Sequence, residues 1–194
     1  MNKLTIGGIV AIALAIAVAL SVGRQDGDRP SARNLQALAV DDMAGLTVLE
    51  TPEAAPDIGF QDADGKARRL ADYRGQAVLV NLWATWCAPC VKEMPALDRL
   101  AQAFADADFA LLPISLDVGG PEVVQAFYEK TKIANLPVLI DANGGSPAAF
   151  GAIGLPMTVL IDRDGRILAR HPGDAEWDSP AAKAVIAALI ERQP

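Results

Sequence analysis

The most restrictive feature of this chain is a junction. Ala77-Val78-Leu79-Val80-Asn81-Leu82-Trp83 is short, uncharged and apolar but for Asn81, and reads as a strand buried on both faces. It runs directly into Ala84-Thr85-Trp86-Cys87-Ala88-Pro89-Cys90, which holds the only two cysteines of the 194 residues. The segment Ala88 to Ala105 then has the spacing of a helix. A buried strand that delivers a cysteine pair to the first turn of a helix demands a sheet covered by helices, an α/β arrangement.

That placement makes a thiol reactive. The thiolate is the attacking species, and a free cysteine has a pKa near ~8.5. The first turn of a helix carries unpaired N–H groups and about half a positive charge, so it favours an anion. Lowering the pKa there by about 1.5 units corresponds to roughly 2 kcal/mol. Residues three apart on a helix lie about 5–6 Å from one another, a separation that suits disulfide closure. Pro89 falls in the first turn, where its missing N–H costs little. Cys87 is the expected attacking sulfur and Cys90 the resolving one. Zinc would need two further soft ligands, and the chain offers no third cysteine and one histidine, His171.

The run Val80-Asn81-Leu82-Trp83-Ala84-Thr85-Trp86-Cys87-Ala88-Pro89-Cys90, followed by Lys92-Glu93-Met94-Pro95, Gly154-Leu155-Pro156 and Val159-Leu160-Ile161-Asp162, resembles the thioredoxin-like TlpA family. These are membrane-tethered thiol:disulfide oxidoreductases that include the ResA-type proteins of cytochrome maturation. The similarity spans about residues 56–190, and Gly173-Asp174-Ala175-Glu176-Trp177 extends it. The resemblance implies a thioredoxin-like fold: a mixed central sheet flanked by helices, an N-terminal hairpin, and a helix-plus-strand insertion from about 118 to 140. It implies that Pro156 is cis and faces the cysteines, leaving the Leu155 backbone free to pair with a substrate peptide as an added strand, where the residues alone would also suit an ordinary loop proline. Trp86 adjoins Cys87 and reads as a contact surface flanking its sulfur. Glu93 lies three residues past Cys90, where ResA-type members carry an acid, and a carboxyl buried beside sulfur can exchange protons. The alternative for Glu93 is a solvated helix position near Lys92. Asn81 stands where plain thioredoxin has a buried aspartate. Met157 departs from the threonine usual after the proline, which bears on substrate preference. Trp177 fits a place near the site or a structural one; Trp83 reads as core, and His171 is given no role.

The resemblance further implies partners that carry disulfides, namely apocytochrome c or copper-site proteins of cytochrome oxidase, and a membrane thiol reductase as electron donor. It requires no cofactor and no metal, and suits a monomer. Two rival readings use the same cysteines. A copper metallochaperone would exploit the affinity of thiolates for Cu(I). A thiol peroxidase resembles a Pro-x-x-x-Thr-x-x-Cys pattern, but Ala84 occupies the threonine slot here.

Net charge is −7, which excludes the basic footprint of a nucleic-acid binder. Leu4 to Val22 is an uncharged run that as a helix would span about 28 Å, close to the hydrocarbon core of a bilayer. It exceeds the apolar core of a signal peptide and lacks a clean cleavage site, which favours an anchor over residues 1–23. Arg24, Arg29 and Arg33 follow it, against the positive-inside trend for export, yet long domains translocate regardless. The expected location is the bacterial inner membrane with the domain facing the periplasm.

Residues 24–52 read as a linker with a spacer helix between Ser31 and Ala44, and 53–194 as the thioredoxin-like domain. Thr51 to Pro56 breaks the pattern and is expected to open that domain. Asp62-Ala63-Asp64-Gly65 and Asp162-Arg163-Asp164-Gly165 read as hairpin turns, the first between Ile58–Gln61 and Lys66–Leu70, the second between Thr158–Asp162 and Arg166–Arg170. Strands are expected at Phe109–Leu116 and Pro137–Ile140, and helices at Pro121–Lys132, Ser146–Phe150 and from Ser179 onward.

Overall fold

A computed structural model describes residues 32–192. The apolar run Leu4–Val22 lies outside the described residues, and among the described residues no helix is long and apolar enough to cross a membrane. In chain order the elements are α1 (Ala32–Leu38), β1 (Thr47–Ala54), β2 (Gly59–Asp62), β3 (Ala67–Arg69), β4 (Ala77–Trp83), α2 (Ala88–Ala103), β5 (Phe109–Ser115), α3 (Pro121–Thr131), β6 (Leu139–Ile140), α4 (Ser146–Phe150), β7 (Met157–Ile161), β8 (Arg166–Pro172) and α5 (Pro180–Glu191), with 3-10 turns at Asp41–Met43 and Leu70–Tyr73.

The strands form one sheet in the order β1-β8-β7-β4-β5-β6-β2-β3. β4 pairs parallel with β5 and antiparallel with β7, so the sheet is mixed, as expected. Every residue of β4 is buried. Its side chains divide by the two-residue period of a strand: Ala77, Leu79 and Trp83 enter the core layer that also holds Met94, Leu97 and Ile186, while Val78, Val80 and Leu82 enter the opposite layer with Phe60 and Phe150. The polar exception, Asn81, is an odd-numbered position and therefore points to the α2 side.

Both Asp-x-x-Gly turns form as read. Asp62 Oδ1 accepts from the N–H of Asp64 and of Lys66, and Asp162 Oδ1 from the N–H of Arg166 at 2.8 Å. Gly165 has φ +71° and sits against the Arg74 guanidinium, so both the left-handed backbone and the close approach require glycine.

Three expectations need correction. The stretch from Thr51 to Pro56 does not interrupt the fold: Thr47–Ala54 is an edge strand on β8 whose register shifts between Val48 and Glu53. An edge strand with a bulge is where Pro52 can sit without removing a needed ladder bond. Residues of the expected linker and its spacer helix also pack inward, with Leu35, Met43 and, just past the helix reading, Leu46 at 1%, 0% and 3% exposure in the α2-side core. That part of the expected linker is therefore core. β6 is also shorter than expected, since only Leu139 and Ile140 pair. α2 continues through Pro95.

Candidate active site

The end of β4 and the start of α2 build the site as the junction predicted. Cys87 is the N-cap residue of α2, in extended conformation, and its Sγ accepts the N–H of Cys90 at 3.3 Å. Sulfur therefore takes the place of the side-chain oxygen that usually caps a helix, and the dipole end faces it. Pro89 occupies the first turn. Cys87 and Cys90 form a disulfide, with Cα atoms 5.2 Å apart. Cys90 is wholly buried and Cys87 is 7% exposed, so an incoming group meets Cys87 first.

Beneath the sulfurs, Glu93 is 2% exposed on the next turn of α2. Its Oε1 accepts from Asn81 Nδ2 at 2.8 Å, and its Oε2 accepts from Trp177 Nε1 at 2.8 Å and from the Ala175 N–H at 3.1 Å. Asn81 Nδ2 also donates to Thr158 Oγ1 at 3.0 Å, tying β4 to β7. Burial pushes the Glu93 carboxyl up to about 7, against the pull of its three donors. The solvated alternative for Glu93 is excluded by its burial.

The peptide bond between Leu155 and Pro156 is cis. Leu82 pairs with Met157, so Pro156 enters β7 at the end of the sheet where β4 hands over to Cys87. Pro156 C=O accepts the Gly173 N–H at 2.9 Å, and the Leu155 backbone forms no hydrogen bond among the described residues. Leu155 is therefore available for pairing with an added strand. Beside it lies a largely apolar cavity of about 340 Å³ lined by Ile153, Leu155, Pro156, Met157 and Pro172 among others. Trp86 is 68% exposed and Ile153 fully so. Trp86 adjoins Cys87 in the chain, and Ile153 lines the cavity beside Leu155 and Pro156.

Reading the sequence alone did not resolve the supports of this site. Trp177 is fully buried and donates its Nε1–H to the Glu93 carboxylate, so the ring is both core and a direct neighbour of Glu93. Thr158 and the Ala175 N–H were missed because they reach Glu93 and Asn81 only through contacts 77 and 82 residues apart in sequence. His171, buried and edge-on to Trp177 at 5.5 Å, backs that ring. Lys92 bonds Asp174 at 2.8 Å and is mostly exposed. Among the described residues no group of three or more histidine, cysteine or acidic side chains is placed to hold a metal ion.

Comparison with known proteins places this geometry. Residues 52–170 match the AhpC/TSA family. The thiol-disulfide oxidoreductase ResA of Geobacillus thermodenitrificans is 35% identical over 122 residues, 62% of this chain and 68% of that protein. Among solved structures, a thiol:disulfide interchange protein from a Bacteroides species is similar with a TM-score of 0.60 at 27% identity, over 73% of this chain and 91% of the other. An exposed lipoprotein thioredoxin of Streptococcus pneumoniae is similar with a TM-score of 0.57 at 29% identity, over 69% of this chain and 98% of the other.

Proposed function

This chain belongs to the AhpC/TSA family and is a thioredoxin-like thiol-disulfide oxidoreductase, and from that premise we propose that it reduces disulfides in exported partner proteins. The observation that carries the reading is the asymmetry of the pair: Cys87 caps α2 at the surface while Cys90 is sealed one turn inside, above a buried carboxyl. In the reduced enzyme the Cys87 thiolate attacks one sulfur of the partner's disulfide. A mixed disulfide forms and the other partner sulfur leaves as a thiolate. Cys90 loses its proton to Glu93 and attacks the Cys87 sulfur. The Cys87–Cys90 bond forms and the second partner thiolate departs. Two electrons have passed to the partner, and a thiol donor must return two to reopen the pair.

Trp86, Leu155 and Pro156 hold the partner segment, the Leu155 backbone pairing with it as an added strand. The partners we propose are apocytochrome c or the copper-site proteins of cytochrome oxidase, whose cysteines must be open before haem or metal is attached. A membrane thiol reductase recharges the enzyme. Residues 1–23 anchor it to the inner membrane with the domain on the periplasmic side, which raises its effective concentration near such partners. Support for this finer reading comes from the motif resemblance and from the apolar run Leu4–Val22.

A Cys90→Ser variant tests the proposal, because the mixed disulfide on Cys87 can no longer be resolved. The expected result is covalent capture of proteins with paired cysteines, cytochrome or copper-site precursors among them, and loss of capture in a Cys87→Ser, Cys90→Ser double variant. Capture of none, with tight copper binding by the reduced protein instead, would favour the metallochaperone.

A further inference from the structure

Two residues before Cys87, the active-site loop is held by a group that no part of the exchange chemistry above uses. Asp117 follows β5 and is 6% exposed. Its Oδ2 accepts the Thr85 N–H at 2.9 Å and the Ser115 hydroxyl at 2.7 Å, and its Oδ1 accepts the Thr85 hydroxyl at 2.7 Å. Ser115 Oγ in turn accepts the Asp117 N–H at 3.0 Å, so its proton is directed at the carboxylate. Every one of these donors is neutral. The clamp thus places an acceptor-only anion against the loop without pairing it to a cation.

We propose that Asp117 is a positioning residue that sets the redox poise of the pair: it pins the Thr85–Trp86 turn and, by its fixed negative charge, holds the Cys87 thiolate less stable than the helix end alone would make it. The proposal rests on the oxidoreductase reading and deepens it by assigning a direction. Chain reach keeps the carboxylate on the order of 10 Å from Cys87. Like charges at that range in a partly buried setting change an equilibrium roughly tenfold. A less stable thiolate disfavours the reduced form, which makes the enzyme a stronger reductant. Other charges near this end of the sheet are Glu93, the Lys92–Asp174 pair, which is neutral as a unit, and buried Asp141, whose N–H donates to the Ser115 carbonyl at 2.9 Å and whose carboxylate accepts the Ser146 N–H at 2.7 Å. Of these charges, Asp117 is the carboxylate bonded to the loop residue Thr85, two positions before Cys87.

The test compares Asp117→Asn with Thr85→Val. Asparagine keeps an oxygen for the Thr85 N–H but removes the charge; valine removes one neutral bond and leaves the charge. Two readouts are used: the pH midpoint of iodoacetamide alkylation of Cys87, and the thiol–disulfide equilibrium in glutathione buffers. The expected result is that Asp117→Asn lowers the midpoint by about one unit and shifts the equilibrium roughly tenfold toward the dithiol, about 30 mV. Thr85→Val should lower unfolding stability and leave both readouts near wild type. An unchanged midpoint and equilibrium in Asp117→Asn, or an equal shift in Thr85→Val, overturns the proposal. Wild-type turnover of a generic protein disulfide such as insulin is measured alongside. Its absence sinks the oxidoreductase reading and leaves the alkylation result readable; its presence with an unmoved Asp117→Asn sinks only the present inference.

Discussion

At Glu93 three hydrogen-bond donors and a cage of low polarity pull in opposite directions, and the cage wins. The carboxyl sits at about 7 instead of its ordinary 4.5 because removing the anion from water outweighs the bonds from Asn81, Trp177 and Ala175. The consequence for stability has a definite sign. Between pH 4.5 and 7 the folded chain holds a proton that the unfolded chain has lost, so this group makes stability fall as pH rises through that window. At and above pH 7 the loss is on the order of 3 kcal/mol. Buried His171 acts oppositely, since burial holds it below its ordinary 6.5 and its contribution is lost as pH falls. In Glu93→Gln, the glutamine oxygen can keep the Trp177 and Ala175 bonds while its N–H turns to Asn81 Oδ1, which has no partner among the described residues. The expected result, by urea unfolding across pH 4.5 to 7, is removal of the downward slope and a profile that rises with pH. A wild-type slope retained in the variant would show that Glu93 does not titrate in this window. The same substitution should slow resolution by Cys90 by about 10²-fold or more, the usual scale of lost proton transfer.

Among elements, α1 and β1 show best how a segment's role depends on what covers it. Leu35 and Leu38 have helical spacing, and that is visible in the sequence; the surface receiving them is not. α1 packs against β1 and α5, and Leu35 is 1% exposed. Leu35→Ala should therefore cost about 2–5 kcal/mol in urea unfolding, as for other buried leucines. A loss under about 0.5 kcal/mol, typical of surface sites, would restore the spacer reading. β4 is the contrary case. Its continuous apolar run could be assigned as buried on both faces without knowing either neighbour, because a strand with no polar face has nowhere else to go. α2 began where expected for an equally local reason: an N-cap and a proline in the first turn act within a few residues.

On the scale of the whole molecule, the sheet gathers the chemistry at one end. β4 delivers Cys87, antiparallel β7 begins there just after Pro156, and parallel β5 ends there at Ser115 and leads to Asp117. The described core draws on residues from Leu35 onward. A chain beginning at residue 32 should accordingly fold and retain the Cys87–Cys90 exchange. Under the anchor proposal it should leave the membrane fraction that holds the full chain. Fractionation with an alkylation assay checks both, and a full-length chain found wholly in the soluble fraction would overturn the anchor.

Short-range order was already written into the residues. The strand, the cysteine spacing, the helix start and the Asp-x-x-Gly turns depend on neighbours within one or two turns, so the sequence alone determined them and, with them, the reactive pair. Tertiary structure decided the rest. Trp177 and Ala175 reach Glu93 across more than eighty residues, and Asp117 reaches Thr85 across 32. Such contacts leave no periodic trace in the chain. Only the folded sheet, by bringing the ends of distant strands to one edge, turns a helix glutamate into a buried acid and a loop aspartate into a clamp.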